Sequence, residues 1–360
     1  MATKKNVKEE YKNLHLELKA IEANARQVLK SLDHFSFEGF RLAYLNPIEN
    51  PNDVFSVFTD YIGFLKKEGR IGNAIAYKCA LKSLEKFAKL SVLPFREITS
   101  NFLNRYEHWM IEEGNGLTTV GMYLRCVRHL YNQAIQKGTI DQHSYPFGTG
   151  TGKYRIPEPQ NIKKALPLND VKKIFTYKPL AGSREEFYRD IWIFSYLCNG
   201  ININDICCLK YSDLTEKSVT FRRAKTTHTV RKSKPVMAAR TEKVNEIIRK
   251  WGTTPALPDQ YIFPFYKPGL TPEQQKARTA EVVKQTNRHI KNIGEAVGIT
   301  APITTYTARH SYATVLKRSG ASIAYISETL GHKDLKTTEA YLDSFESDEQ
   351  MKIAAKLTDW

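Results

Sequence analysis

Acidic residues are outnumbered, cysteines are few, and no stretch is apolar for long enough to cross a bilayer. The 360 residues include five cysteines, Cys79, Cys126, Cys198, Cys207 and Cys208. The number is odd, no C-x-x-C pair occurs and most neighbours are apolar, which predicts reduced, buried thiols in cytosol. The amino-terminal MATKKNVKEEYKNL has no apolar core of the signal-peptide type, and the strongest apolar run, around Ile191 to Cys198, is far too short to span a membrane. Secretion and membrane insertion are therefore not expected, and a cytoplasmic location is. No glycine-rich phosphate loop and no βαβ alternation are present, so a doubly wound nucleotide-binding fold is disfavoured. No carboxylates cluster at metal-ligand spacing, which argues against a metal-dependent nuclease.

What is present is positive charge. Lys plus Arg number 54 against 38 Asp plus Glu, a net charge of +16. Such a field attracts polyanions and releases their counterions on binding, so nucleic acid is the first partner to consider, with a merely soluble basic protein as the plain alternative. At 41% hydrophobic residues the chain can bury proper cores, and its length predicts two or three domains.

Residues 1–50 read as a helical segment. Tyr11, Leu14, Leu18, Ile21, Ala25, Val28 and Leu32 fall at alternating steps of three and four, the seam of a helix that leans on another helix or a partner subunit. It ends near a cluster of Phe35, Phe37 and Phe40. Residues 51–140 read as a small helical domain. Asn52 can cap a first helix with Val54, Phe55, Phe58, Tyr61, Ile62 and Leu65 on its face, and a second carries Tyr77, Leu81, Leu84 and Phe87. A third begins near Ser100 and stops at Gly114; a fourth begins near Thr118 and stops at Gly138. Opposite the apolar stripe of the fourth, Arg125 and Arg128 share a face that can meet phosphates, or can simply be solvated. Residues 141–165, with Gly148, Gly150, Gly152, Pro157 and Pro159, read as a linker. Residues 166–360 read as a mixed domain: helices near 169–176 and 183–198, a β-rich stretch from about Ser218 to Met237, then helices.

Three short motifs near the carboxyl terminus carry chemistry: Thr305-Tyr-Thr-Ala-Arg309-His310, then Leu330-Gly331-His332, then Thr337-Thr338-Glu-Ala-Tyr341. Phosphotransesterification needs a nucleophile and fixed cations for the charge that grows on the nonbridging oxygens, with no external energy source. Arg309, early on a helix, offers the planar fork that suits a phosphate, and His332, after the helix stop at Gly331, can donate to the same oxygens. Each has a plainer alternative: Tyr341 as one of 19 tyrosines in a core, His332 as a helix cap. His310 fits better as an orienting or packing residue.

Across roughly residues 51–350 the sequence resembles the tyrosine recombinase (phage integrase) family, most specifically in these last motifs and in the manner of integrases from mobile elements such as conjugative transposons. The resemblance implies an all-α, SAM-like core-binding domain over 51–140 and a mainly helical α+β catalytic domain with a small antiparallel sheet over 166–360, the two clamping duplex DNA from opposite sides. It implies that Tyr341 attacks to give a 3′-phosphotyrosyl link and a free 5′ hydroxyl, in a site-specific recombinase without cofactor or metal. A tetramer on paired DNA sites, a carboxyl-terminal tail from Ser344 that docks on a neighbouring subunit, and an accessory directionality or DNA-bending protein are implied too. Mobile-element relatives often begin with a basic, strand-rich arm-binding domain; the residues before Tyr11 are too few for one, so it is either absent from this chain or removed from it.

Two positions depart from the family pattern. Asn202 stands where the family carries its first catalytic arginine, with Asp205 three residues on, and Tyr306 stands where a histidine is usual. The basic stretch from Arg222 to Arg240, which has seven basic and no acidic residues, offers a replacement. Val219, Phe221, Arg223 and Lys225 share strand parity, so a strand anchored by the first two projects Arg223 and Lys225 from one face. Lys225 matches the family's hairpin lysine, which protonates the departing 5′ oxygen. Arg223 either supplies the missing cation or, like Arg222, Arg231 and Lys232, contacts phosphates nonspecifically. Two other readings remain open: a type IB topoisomerase, and a noncatalytic regulator, since Ile323 to Tyr341 also looks like a helix-turn-helix.

Overall fold

In the computed structural model the described residues are 9–30, 37, 40, 44, 52–158, 165–223, 234–332 and 334–339. They fall into two compact units, Met1–Glu158 and Pro159–Trp360. Tyr341, Lys225, Arg231 and Lys232 lie outside the described residues, as do Phe35, Leu32 and the tail from Ser344.

The first unit is helical. Helix α1 (Glu9–Lys30) carries the three-and-four seam, and Tyr11, Leu14, Leu18 and Ile21 on it are exposed. Among the described residues four α-helices follow: α2 (Val54–Lys67), α3 (Ile71–Ala88), α4 (Ser100–Glu112) and α5 (Leu117–Gln136). Their apolar faces meet in one core that includes Phe58, Leu65, Leu84, Leu103, Tyr106, Leu124 and Leu130. The cap of α2 is Asp53, where the sequence pointed to Asn52. The Asp53 carboxylate accepts from Phe55 N (3.3 Å), Ser56 N (3.0 Å) and, across the chain, Leu93 N (2.8 Å). One buried side chain thus satisfies both a helix start and a distant turn, a long-range partnership that a local pattern does not disclose.

The aperiodic stretch after α5 is not free chain throughout. Phe147 and Tyr154 are buried in the same core, the Tyr131 hydroxyl donates to Ser144 O (3.0 Å), and the Tyr154 hydroxyl bonds Glu107. The residues read as a linker from 141 onward therefore pack, through Tyr154, on the helical unit. Aromatic anchors and a tyrosine hydroxyl hold them there without any periodic pattern.

The second unit is built around α7 (Arg184–Leu197), which follows α6 (Leu168–Thr176). Ile191, Trp192, Ile193 and Phe194 are consecutive and fully buried, so this helix is enclosed on all sides. It packs against α9 (Glu242–Trp251), α10 (Pro272–Ala296) and α11 (Thr305–Arg318), and short α8 (Ile203–Cys208) lies against α10. At its amino-terminal half Arg189 donates to Asp190 Oδ1 (2.7 Å) and Lys250 pairs with Glu186, so the buried charges there are matched. Strands β1 (Ser218–Phe221) and β2 (Val236–Ala239) form an antiparallel pair with Val219 opposite Ala238 and Phe221 opposite Val236. The last helices among the described residues are α12 (Ile323–Thr329) and α13 (Leu335–Glu339). No helix among the described residues is long and apolar enough to cross a membrane.

Candidate active site

Helix α11 starts under tight control. The Thr304 amide donates to Thr307 Oγ1 (3.0 Å), the Thr305 amide donates to Asn287 Oδ1 (2.7 Å), and the buried Trp192 indole donates to Thr304 O (3.0 Å). The first two bonds satisfy amide donors at the helix start, the third a carbonyl, and together they fix where its next turn points. That turn carries Arg309, which is 3% exposed.

The Arg309 guanidinium is held between two turns of backbone. Nη1 donates to Gly200 O (3.0 Å), and Nη2 donates to Leu330 O (2.5 Å) and to His332 Nε2 (3.2 Å). The first turn, Cys198-Asn199-Gly200-Ile201-Asn202, has two successive residues in the left-handed region, Asn199 at φ 59° and Gly200 at φ 63°. A Cβ on Gly200 would lie 2.6 Å from Arg309 Cα, so glycine is required there both by conformation and by contact. Asn199 pins this turn: its Nδ2 donates to Met237 O on β2 (2.9 Å) and its Oδ1 accepts from the Tyr312 hydroxyl (2.9 Å). Tyr312 lies one helical turn beyond Arg309, and burial pushes its phenol up to about 12.

The second turn is Leu330-Gly331-His332. Gly331 has φ 64°, and a Cβ there would lie 2.7 Å from Val236 Cγ2 and 3.0 Å from Arg223 Cδ. Arg223 Nη1 donates to Gly331 O (3.1 Å), so two arginines are seated on the consecutive carbonyls of residues 330 and 331. His332 completes the group, with Nε2 toward Arg309 and Nδ1 3.0 Å from Thr338 Oγ1. Val219 and Phe221 of β1 are buried, and of the two residues that follow the strand Arg222 is exposed and Arg223 half-buried.

Asn202 is half-buried and starts α8, its carbonyl accepting from Asp205 N (2.9 Å) and Ile206 N (3.0 Å), while its side chain makes no cap bond. It belongs to the same turn as Gly200, whose carbonyl holds Arg309. Asp205 is buried. Tyr306 is 50% exposed and its ring centroid lies 6.2 Å from that of His310. Arg309, His332 and Arg223 are therefore brought together, Asn202 lies on the adjoining turn, and Tyr306 sits on the exposed side of α11. In the helical unit Arg128 is exposed but Arg125 is half-buried, a Cβ on Gly121 lying 3.0 Å from its Nη1 and 2.5 Å from Pro157 O. The two arginines that spacing puts on one face thus differ in access. The cysteines are all free, but Cys79 and Cys208 are exposed where burial was expected; burial pushes the Cys126 thiol up to about 11.

Residues that sequence reasoning passed over are Asn199, Gly200, Tyr312 and Thr338. Asn199-Gly200 carried a signal, since an Asn-Gly pair marks a turn with left-handed residues. Thr338 carried only its place three residues before Tyr341.

Two family models cover most of the chain: the phage integrase SAM-like domain over residues 53–156 and the phage integrase family over residues 166–348. Tyrosine recombinase XerD of Listeria monocytogenes is 26% identical over 247 residues, 64% of this chain and 73% of that protein. Among solved structures, a lambda integrase tetramer bound to a Holliday junction aligns with a TM-score of 0.58 at 18% identity, covering 92% of this chain and 88% of that one. The Tn1549 transposon integrase in complex with transposon right end DNA aligns with a TM-score of 0.57 at 15% identity, covering 85% and 99%. These structures share the fold, mainly helical with a small antiparallel sheet. The chain belongs to the phage integrase family, the tyrosine recombinases, and is a site-specific recombinase.

Proposed function

We propose that the cluster of Arg309, His332 and Arg223 receives a DNA phosphodiester, and that Tyr341 is the nucleophile that attacks it. The observation that carries this reading is the seating of Arg309 and Arg223 on the consecutive carbonyls of Leu330 and Gly331, with His332 next in the chain. Guanidinium groups fixed by backbone before substrate arrives meet the charge that develops on nonbridging oxygens without reorganising. The phenol oxygen of Tyr341 gives up its proton to water and bonds to phosphorus, the bond to the 5′ oxygen breaks, and Lys225 delivers the proton that the 5′ oxygen needs. The phosphotyrosine conserves the bond energy for rejoining. Asn202 can add a neutral hydrogen bond where the family carries an arginine, and Tyr306 lines the approach. No cofactor or metal enters this scheme, since side-chain cations carry the charge.

Residues 51–140, with Arg125 and Arg128, and the basic stretch that contains Arg222, Arg231 and Lys232, hold duplex DNA by its phosphates. Residues 1–50 precede the DNA-binding unit, 141–158 pack with that unit, 159–165 lead on from it, and 166–360 are the catalytic domain with its tail. The working form is a homotetramer on paired sites, aided by a directionality or DNA-bending protein, in the cytoplasm of a cell that carries a mobile element. The test is a nicked suicide substrate carrying the protein's site, recovered from genomic fragments that become covalently attached. The parent protein gives an adduct on a denaturing gel in the presence of EDTA, and Tyr341→Phe binds with the same affinity and gives none. An adduct formed by Tyr341→Phe, or a requirement for magnesium, contradicts the scheme.

A further inference from the structure

Arginine has donors only, so its 3.2 Å contact with His332 Nε2 makes that nitrogen an acceptor. In the neutral ring the proton then sits on Nδ1, and the group 3.0 Å from Nδ1 is the hydroxyl of Thr338. Thr338 is fully buried, and it belongs to α13, three residues before Tyr341 in the chain. A threonine hydroxyl can accept from Nδ1 and still donate its own proton elsewhere, which fits it to hold this tautomer. The backbone side of the ring is fixed separately, by the His332 amide donating to Ser327 O (2.9 Å). The imidazole is thus anchored at its main chain and at Nδ1, and its remaining nitrogen faces Arg309.

We infer that Thr338 is a positioning residue for the strand-transfer reaction: by accepting from Nδ1 it keeps the proton of His332 off Nε2 and ties the orientation of the imidazole to the segment that carries Tyr341. The inference rests on the reading of Arg309 as part of the phosphate site: with Nε2 accepting from Arg309 and Nδ1 bonded to Thr338, the neutral imidazole orients that guanidinium and does not itself donate to the phosphate. Its consequence is that the histidine and the nucleophile segment move together, so that a displaced segment also lets the imidazole turn.

The experiment uses the full chain as Thr338→Val, Thr338→Ser and His332→Ala. Valine keeps the volume and removes the hydroxyl; serine restores it. Nitrogen-15 NMR of histidine-labelled protein reads the tautomer directly: the parent and Thr338→Ser place the proton on Nδ1, and Thr338→Val yields a mixture or the Nε2 form. Single-turnover cleavage of the suicide substrate by Thr338→Val falls by ten- to a hundredfold, DNA affinity stays within about threefold, and Thr338→Ser regains most of the rate. An unchanged tautomer in folded Thr338→Val, or a Thr338→Ser protein with the intended tautomer that cleaves as poorly as valine, overturns the inference. If valine does not fold, the tautomer and rate of Thr338→Ser against Thr338→Ala decide in the same way. His332→Ala separates the two levels: normal cleavage without the imidazole defeats the functional reading, whereas a severe loss there beside normal cleavage in Thr338→Val defeats only the inference.

Discussion

The two units solve burial differently. In the helical unit the described core is apolar and aromatic, and the buried charged or polar residue there is Asp53, spent on a helix cap and a turn. The second unit buries Glu186, Arg189, Asp190, Asn199, Asp205, Arg309, Thr307, Ser311 and Thr338, among others. Buried polar groups cost stability unless matched, and a half-matched one costs most. Near the start of α7 the matching is acid to base, Arg189 with Asp190 and Lys250 with Glu186. Around α11 it includes backbone carbonyls and an imidazole for Arg309. The first arrangement neutralises an arginine, and the second orients one.

Substitutions that ignore the division would break this comparison. The largest effect is expected for Arg309→Ala, which should lower single-turnover cleavage by about a hundred- to a thousandfold while DNA affinity changes only severalfold, because the contact proposed for it is made chiefly to the transition state. Loss of affinity in proportion to rate would make Arg309 a binding residue instead. In the helical unit, Phe58→Ala empties a fully buried site and should reduce stability by about 3–5 kcal/mol in chemical denaturation. Cleavage per folded molecule at saturating DNA should stay close to the parent's; a large fall there would tie the helical core to the chemistry.

Gly200→Ala sharpens the contrast on the catalytic side. It places a methyl 2.6 Å from Arg309 Cα at a left-handed φ, so cleavage should fall by more than tenfold and the melting temperature should drop. A smaller effect, about tenfold in cleavage, is expected for Arg223→Ala against near-parent rates for Arg222→Ala, both with a modest loss of affinity. Equal rates would remove Arg223 from the site. Smallest is the acid-base cluster of α7. The hydrogen bond from Lys250 holds the Glu186 carboxyl below its ordinary range, a depressed folded-state value. Its contribution is therefore present above the unfolded carboxyl range near pH 4 and is lost as pH falls through the lower folded value. Stability of Glu186→Gln against pH should lack that part of the acid slope; parallel curves would show the pair to be inert.

Much of this was legible in the residues alone. Periodicity located α1 to α5 and the motifs singled out Arg309 and His332, because helical spacing and fork-and-imidazole chemistry are local signals. What escaped depends on partners distant in sequence. Asp53 outranks Asn52 as a cap because Leu93 also needs its carboxylate. Phe147 and Tyr154 join a core that no periodic pattern announces. Thr338 matters through a histidine six residues earlier, across a turn whose shape Gly331 sets.

The proposed chemistry depends on Tyr341, and the covalent adduct itself gives the most direct test. The protein is trapped on a suicide substrate, the DNA is trimmed with nuclease, and the chain is digested and sequenced by mass spectrometry. The nucleotide is predicted on the phenol oxygen of Tyr341, joined through a 3′ phosphate, with a 5′ hydroxyl on the released strand. A nucleotide on any other residue, or a link through a 5′ phosphate, would contradict the assignment.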